Sequence, residues 1–127
     1  MSRNLLPLLA LALAGCGGEP PPLAMATTPE QSRAALVAAL DAWKAGVTPA
    51  ELAARTPAVY LLDDACSRGA KLTDYKIEGE PKVFGTGLSY ALTLTLQDGG
   101  KPPAARKVAY RVVTSPTVAI SREDGTP

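Results

Sequence analysis

The 127-residue chain has no histidine, which removes the commonest general base, proton shuttle and metal ligand together. It has only two cysteines, Cys16 and Cys66, too few for a disulfide-built scaffold or a Cys-based zinc site. No Gly-rich phosphate loop and no Ser/His/Asp set occurs either, so no cofactor is expected. Aromatic residues are scarce, with one Phe, one Trp and four Tyr. An excess of either charge is missing as well: 13 Lys and Arg stand against 12 Asp and Glu. Such a chain has no global field to draw in nucleic acid or an acidic membrane surface. The longest apolar run, residues 5–14, is ten residues. At ~1.5 Å per residue it reaches about 15 Å, half of the hydrocarbon core. Pro7 inside it also argues against a spanning helix.

What is present is a globular composition, 46% hydrophobic and 20% charged, with a length suited to one domain. The clearest local signal is a helix start at Thr28-Pro29-Glu30-Gln31, with a hydroxyl at N-cap, proline at N1 and Gln31 able to bond back. Leu36, Val37, Leu40 and Trp43 then fall on one stripe, and Gly46 suits the end. A helix over 29–45 follows. Thr48-Pro49-Ala50-Glu51 repeats the cap, predicting a short helix to about Ala54 that Pro57 stops.

Beyond this point the period changes from helical to two. Residues 58–62 read as a short strand, and 63–70 as a polar turn with at most one helical turn capped by Asp63 or Asp64. A strand over 71–79 carries one irregularity, because Leu72 and Tyr75 are out of phase, and Pro81 breaks it. In 86–97, Leu88, Tyr90, Leu92, Leu94 and Leu96 alternate with polar or small residues, so one face meets a core. Asp98-Gly99-Gly100 turns the chain into a strand at 105–114, Ser115-Pro116 turns it again, and Val118 and Ile120 mark a last short strand. The expected class is α+β: one amphipathic helix and a short helix packed on a curved antiparallel sheet of four or five strands. This element order over 29–122 resembles the cystatin/NTF2-like architecture. Trp43-Lys44-Ala45-Gly46, the series Val59, Asp63, Gly69, Leu72 and Tyr75, and Gly100-Lys101 are similar to a pattern in small lipoproteins of planctomycete-type bacteria. That resemblance implies fold and compartment and supplies no activity.

The N-terminus carries an address. Arg3 precedes the apolar run, and small residues follow it, as in a secretory signal. Leu13-Ala14-Gly15-Cys16 resembles the lipobox of bacterial lipoproteins. The resemblance implies cleavage before Cys16, a diacylglycerol on its sulfur and acylation (palmitate-type) of the new amino group. Two or three chains hold a protein on a membrane stably, where one does so marginally. The expected organisation is therefore a signal peptide at 1–15, a lipidated Cys16 with a Pro-rich tether at 16–28, a domain at 29–122 and a polar tail at 123–127. Gly17 in place of aspartate favours the outer over the inner membrane, with the domain facing the periplasm or the surface. A plain secretory signal with an incidental cysteine is the alternative.

Several residues invite chemical readings. With Cys16 lipidated, Cys66 is a lone thiol: inert and partly buried, a dimer disulfide, or a nucleophile without a histidine base. Asp63-Asp64 is a candidate metal pair, explained more cheaply by capping and turn formation. Tyr60, Tyr75, Tyr90 and Tyr110 would either line one concave pocket under the helix or pack as core and cross-strand residues. Arg106, Lys107 and Arg111 would contact headgroups or a polyanion, or blunt a solvated strand. No catalytic, cofactor or metal residue is assigned; the one assigned site is Cys16. The expected function is a non-enzymatic binding or scaffold domain on the cell envelope, with an envelope protein or a small ligand as partner. The alternative is a small-ligand pocket or an NTF2-like enzyme under the helix, and a homodimer through the open sheet face is a third reading.

Overall fold

A computed structural model describes residues 27–123. The signal peptide, Cys16, residues 17–26 of the tether and residues 124–127 of the tail lie outside the described residues. The elements run α1 (Pro29–Lys44), α2 (Pro49–Ala53), β1 (Val59–Leu62), α3 (Asp64–Ser67), β2 (Lys71–Phe84), β3 (Gly87–Gln97), β4 (Ala104–Val113) and β5 (Val118–Arg122). All five strands form one sheet in the order β1-β5-β4-β3-β2. The α+β class expected from the sequence is present.

Both N-cap hydroxyls accept the expected bond, and only the second cap closes as a reciprocal box. Thr28 Oγ1 accepts from the Gln31 amide at 3.1 Å. At α2 the reciprocal box closes, with Thr48 Oγ1 accepting from the Glu51 amide at 3.2 Å and Glu51 Oε1 from the Thr48 amide at 2.8 Å. The second of these bonds, from the Thr48 backbone amide, is the main reason the Glu51 carboxyl sits below its ordinary value. α1 lays Leu36, Ala39, Leu40 and Trp43 on the sheet, where they are buried against Leu92, Leu94, Tyr110 and Ile120 in one core. Val37 was expected on this stripe, but it lies at the flank, only half-buried. Ser32 takes the next inward place instead, fully buried.

Two expectations about the sheet fail. The strands are not all antiparallel: β1 pairs parallel to β5, Val59 beside Val118 through Leu62 beside Ser121. The chain leaves β1 through α3, enters the opposite edge of the sheet as β2 and steps back through β3 and β4, so the last strand arrives beside the first in the same direction. Pro81 does not end β2 either. Between the pairs Glu78–Ala91 and Lys82–Ser89, three residues of β2 stand opposite one of β3. Pro81 sits in that bulge on an edge strand, where a missing N–H breaks no ladder bond. The out-of-phase step between Leu72 and Tyr75 is real, a second irregularity between Leu72 and Asp74. The bulge at 79–81 carries β2 on to a two-residue turn, Gly85-Thr86, between Phe84 and Gly87. Gly85 has φ +64° there, the left-handed conformation a tight hairpin requires at its first central residue. Gly87 has a different reason for its lack of a side chain: a Cβ would stand 2.6 Å from the Val112 carbonyl oxygen.

Two hydrogen-bonded pins fix α1 along the sheet. At its N-terminus the Tyr90 hydroxyl meets Ser32 Oγ, and Ser32 Oγ donates to the Pro29 carbonyl at 3.0 Å. At its C-terminus Trp43 Nε1 donates to the Ala70 carbonyl at 2.9 Å. Both pairs are buried, so each satisfies polar groups that would otherwise be costly to desolvate. The sheet thus has one covered face and one open face.

Candidate polar cleft at the ends of the parallel strands

The parallel register that places Leu62 beside Ser121 also brings the next residue, Asp63, to Arg122. β4 adds Tyr110, which is paired with Arg122 across the sheet. The result is a three-element polar node. Asp63 Oδ2 accepts from Arg122 Nε at 3.0 Å, from Arg122 Nη2 at 2.8 Å and from the Tyr110 hydroxyl. Its Oδ1 caps α3, accepting from the amides of Ala65 at 2.7 Å and Cys66 at 3.2 Å. The Asp63 side chain is wholly buried and that of Arg122 about a quarter exposed.

Burial alone would raise the Asp63 carboxyl. The hydrogen bonds from Tyr110 and Arg122, the Arg122 charge and the Cys66 amide outweigh it and hold Asp63 below the ordinary value. For Arg122 burial works downward, and the Asp63 carboxylate more than compensates, raising it. The Tyr110 phenol is pushed upward by burial and by the adjacent Asp63 charge. With five bonds on one carboxylate, no lone pair of Asp63 remains for a substrate proton or a metal. Among the described residues no three His, Cys, Asp or Glu side chains converge.

Outside this node a cleft of about 380 Å³ opens at the C-terminal ends of β1 and β5, lined by Leu62, Asp63, Asp64, Ser67, Ser121 and Arg122. Asp64 and Ser67 stand exposed on its wall. Its lip is apolar, with Leu62 59% exposed. The cleft therefore offers hydroxyls, one free carboxylate and the outer edge of a guanidinium beside an aliphatic surface.

The other candidates are dispersed. Tyr90 and Tyr110 are fully buried core residues, and Tyr60 is on the open face of β1. Tyr75 donates to Asp41 Oδ1 at 2.8 Å with Lys44 Nζ 5.7 Å above its ring. Partial burial and then the Asp41 carboxylate push the Tyr75 phenol up to about 12. The four tyrosines thus do not share a pocket, and the space beneath α1 is filled by the core. Arg106 pairs with Leu94 and Lys107 with Thr93, which sends them to opposite faces; Arg111 shares the open face with Lys107 but packs its guanidinium 4.0 Å over Phe84. The three cations form no patch.

Cys66 lies buried in α3. Burial and the nearby Asp63 charge push its thiol up to about 11, so almost no thiolate exists at neutral pH. Alkylation of the folded protein at pH 8 should leave Cys66 unmodified over times that fully label it in denaturant. Rapid labelling of the native chain, read by mass, would contradict this environment. Sequence reasoning missed Arg122 entirely. Only the β1–β5 pairing makes it a partner of Asp63, and no local signal in Ser121-Arg122-Glu123 announces that. Comparison of the chain with family models, with curated proteins and with solved structures yields no match.

Proposed function

We propose that this chain is a lipid-anchored protein of the bacterial cell envelope whose domain binds a partner without catalysing a reaction, and that its architecture belongs with the cystatin/NTF2-like class. The supporting sequence feature for the anchor is Leu13-Ala14-Gly15-Cys16 after a charged and then apolar N-terminus. The supporting feature for the class is one long helix, first in the domain, across one face of a mostly antiparallel sheet. The parallel β1 is a departure from the pattern expected of the class.

The observation that carries the binding reading is the pairing of a filled core with an open cleft. Space under α1 is taken by Leu36, Leu40, Trp43, Tyr90 and Tyr110, so a ligand chamber there has no room. The cleft at Leu62, Ser67, Ser121 and Arg122 is open, polar within and apolar at its lip, which suits a segment of a partner that has both characters. The partner is an envelope protein or a small ligand, with no nucleic acid.

Two measurements test this. Cys16→Ser should move the protein from the membrane to the soluble fraction of growing cells and abolish incorporation of labelled palmitate. A variant that stays on the membrane would overturn the anchor. A photo-crosslinker at Leu62, in cells, should give a discrete adduct that disappears when Ser121→Trp fills the cleft. Adducts unaffected by the tryptophan would overturn the cleft as the binding surface.

A further inference from the structure

Four large apolar side chains are exposed among the described residues, and two of them are adjacent: Val83 at 81% and Phe84 at 45%. They form the tip of the β2–β3 hairpin, beside the Gly85-Thr86 turn. Val83 pairs with Leu88 on the covered face and Phe84 with Gly87 on the open face, so the two flank one turn from both sides of the sheet. Apolar side chains scattered singly need no explanation, whereas two beside the same turn do. Edge strand β2 is otherwise defended by charges and by Pro81, with Lys71, Asp74, Lys76, Glu80 and Lys82 all exposed. Val83 and Phe84 break that pattern at one place only.

The place is set by where the chain enters the domain. Thr27 is tied to the end of β4: its Oγ1 accepts from the Thr114 amide at 3.0 Å and lies 3.3 Å from Thr114 Oγ1. Thr114 directly follows β4, whose Val112 pairs with Leu88, so this end of the sheet is also the end that carries the hairpin tip. Between Cys16 and Thr27 there are ten residues, which reach at most ~35 Å. The entry point of the tether and the exposed apolar tip thus share one end of the domain. The polar cleft opens at the C-terminal ends of β1 and β5, the ends of those two strands farther from the tip.

We infer that the Val83-Phe84 tip is a membrane-contact element that inserts into the bilayer carrying the lipid anchor and orients the cleft away from it. This rests on the proposed lipidation of Cys16. The occupant is a lipid bilayer rather than a second protein, because the segment leading from Cys16 enters the domain at that same end. The tip has little net charge of its own: Glu80 and Lys82 offset each other, and Arg111 is packed flat against the Phe84 ring. Insertion is therefore driven by apolar side chains and a stacked aromatic, which suits the interfacial region of a bilayer. It should be insensitive to salt and to the anionic lipid fraction, unlike attraction by a basic patch.

The test uses the full chain, lipidated in a bacterial host and reconstituted in phosphatidylcholine vesicles. Val83→Cys and, separately, Lys101→Cys at the opposite β3–β4 turn receive a nitroxide label; both positions are exposed, so neither substitution threatens folding, and Cys66 is buried. The label at position 83 should be protected from a water-soluble relaxing agent and accessible to oxygen, with the reverse at position 101. Protection at 83 should persist in high salt. Mass spectrometry of the N-terminal peptide reports the acyl chains in the same sample. A lipidated chain with position 83 as water-exposed as position 101 overturns the inference and leaves the anchor standing. A chain with no acyl group at Cys16 and no vesicle association overturns the anchor reading, and the inference with it. Protection at 83 that vanishes in high salt overturns the apolar mode of contact.

Discussion

Asp63→Asn is expected to destabilise the domain by about 3 kcal/mol, the lower part of the range for breaking a buried ion pair by removing one partner. The lower part applies because Arg122 keeps about a quarter of its side chain in water and so recovers some hydration. Asparagine keeps an oxygen for the Ala65 and Cys66 amides, so the α3 cap survives; alanine would lose it too and cost about 1 kcal/mol more. In a domain of this size 1 kcal/mol corresponds to roughly 4–8 °C in Tm, so the asparagine variant should melt roughly 12–24 °C lower. Denaturant unfolding followed by circular dichroism measures it. Adding Arg122→Met should recover part of the loss, because an uncompensated cation is then gone. A loss below about 1 kcal/mol for Asp63→Asn would show that the node is not a stability element.

The same carboxylate sets the acid limit. Its folded pKa lies below the unfolded value, so its contribution is fully present above the unfolded value, about 3.9. It is lost as pH falls from there through the folded value. Wild-type stability should therefore fall steeply below about pH 4, and Asp63→Asn should show a shallower slope in that window. A residual slope should persist from Glu51 and Glu78. Both carboxyls are lowered, Glu51 by the Thr48 backbone bond and Glu78 by the Thr93 hydroxyl.

The second large effect is expected at Trp43. Trp43→Ala removes the largest side chain that α1 buries and should cost about 3–5 kcal/mol. It also strips the Ala70 carbonyl of its donor at 2.9 Å, inside a core that includes Leu72 and Cys66. Trp43→Phe keeps most of the volume and loses the donor, so it should cost about 1–3 kcal/mol, the desolvation penalty of an unsatisfied buried acceptor. The order of the two variants separates packing from hydrogen bonding. Because Trp43 is the sole tryptophan, unfolding of both must be followed by circular dichroism. Equal losses for alanine and phenylalanine would mean that the hydrogen bond, and not the filled volume, secures the helix end.

Much of the fold is legible in short windows. The caps at Thr28 and Thr48, the α1 stripe of Leu36, Leu40 and Trp43, and the alternation through Leu88–Leu96 all depend on neighbours within a few residues. Helix and strand periods act over that same range, so these elements fall where the sequence puts them to within a residue or so. Pro81 misled for the opposite reason. Its effect depends on whether its N–H position faces a partner strand, and a bulge on an edge removes the need for one.

The candidate cleft was not legible. Asp63 reads as a cap and Tyr110 as one of four tyrosines, while Arg122 carries no local signal; their union spans 59 residues of chain. It exists because β5 returns beside β1 in parallel, and strand order is a property of how four strand pairings close one sheet over one core. The sequence by itself determined the element types, the caps, the inward stripe and the expectation of a lipid-bearing Cys16, since each follows from local chemistry. Only the tertiary structure decided that the tyrosines part company, that Asp63 spends its lone pairs on Arg122 and Tyr110, and that the apolar hairpin tip shares an end of the sheet with Thr27. Those outcomes depend on contacts between residues far apart in the chain, and no local pattern encodes which strand lies beside which.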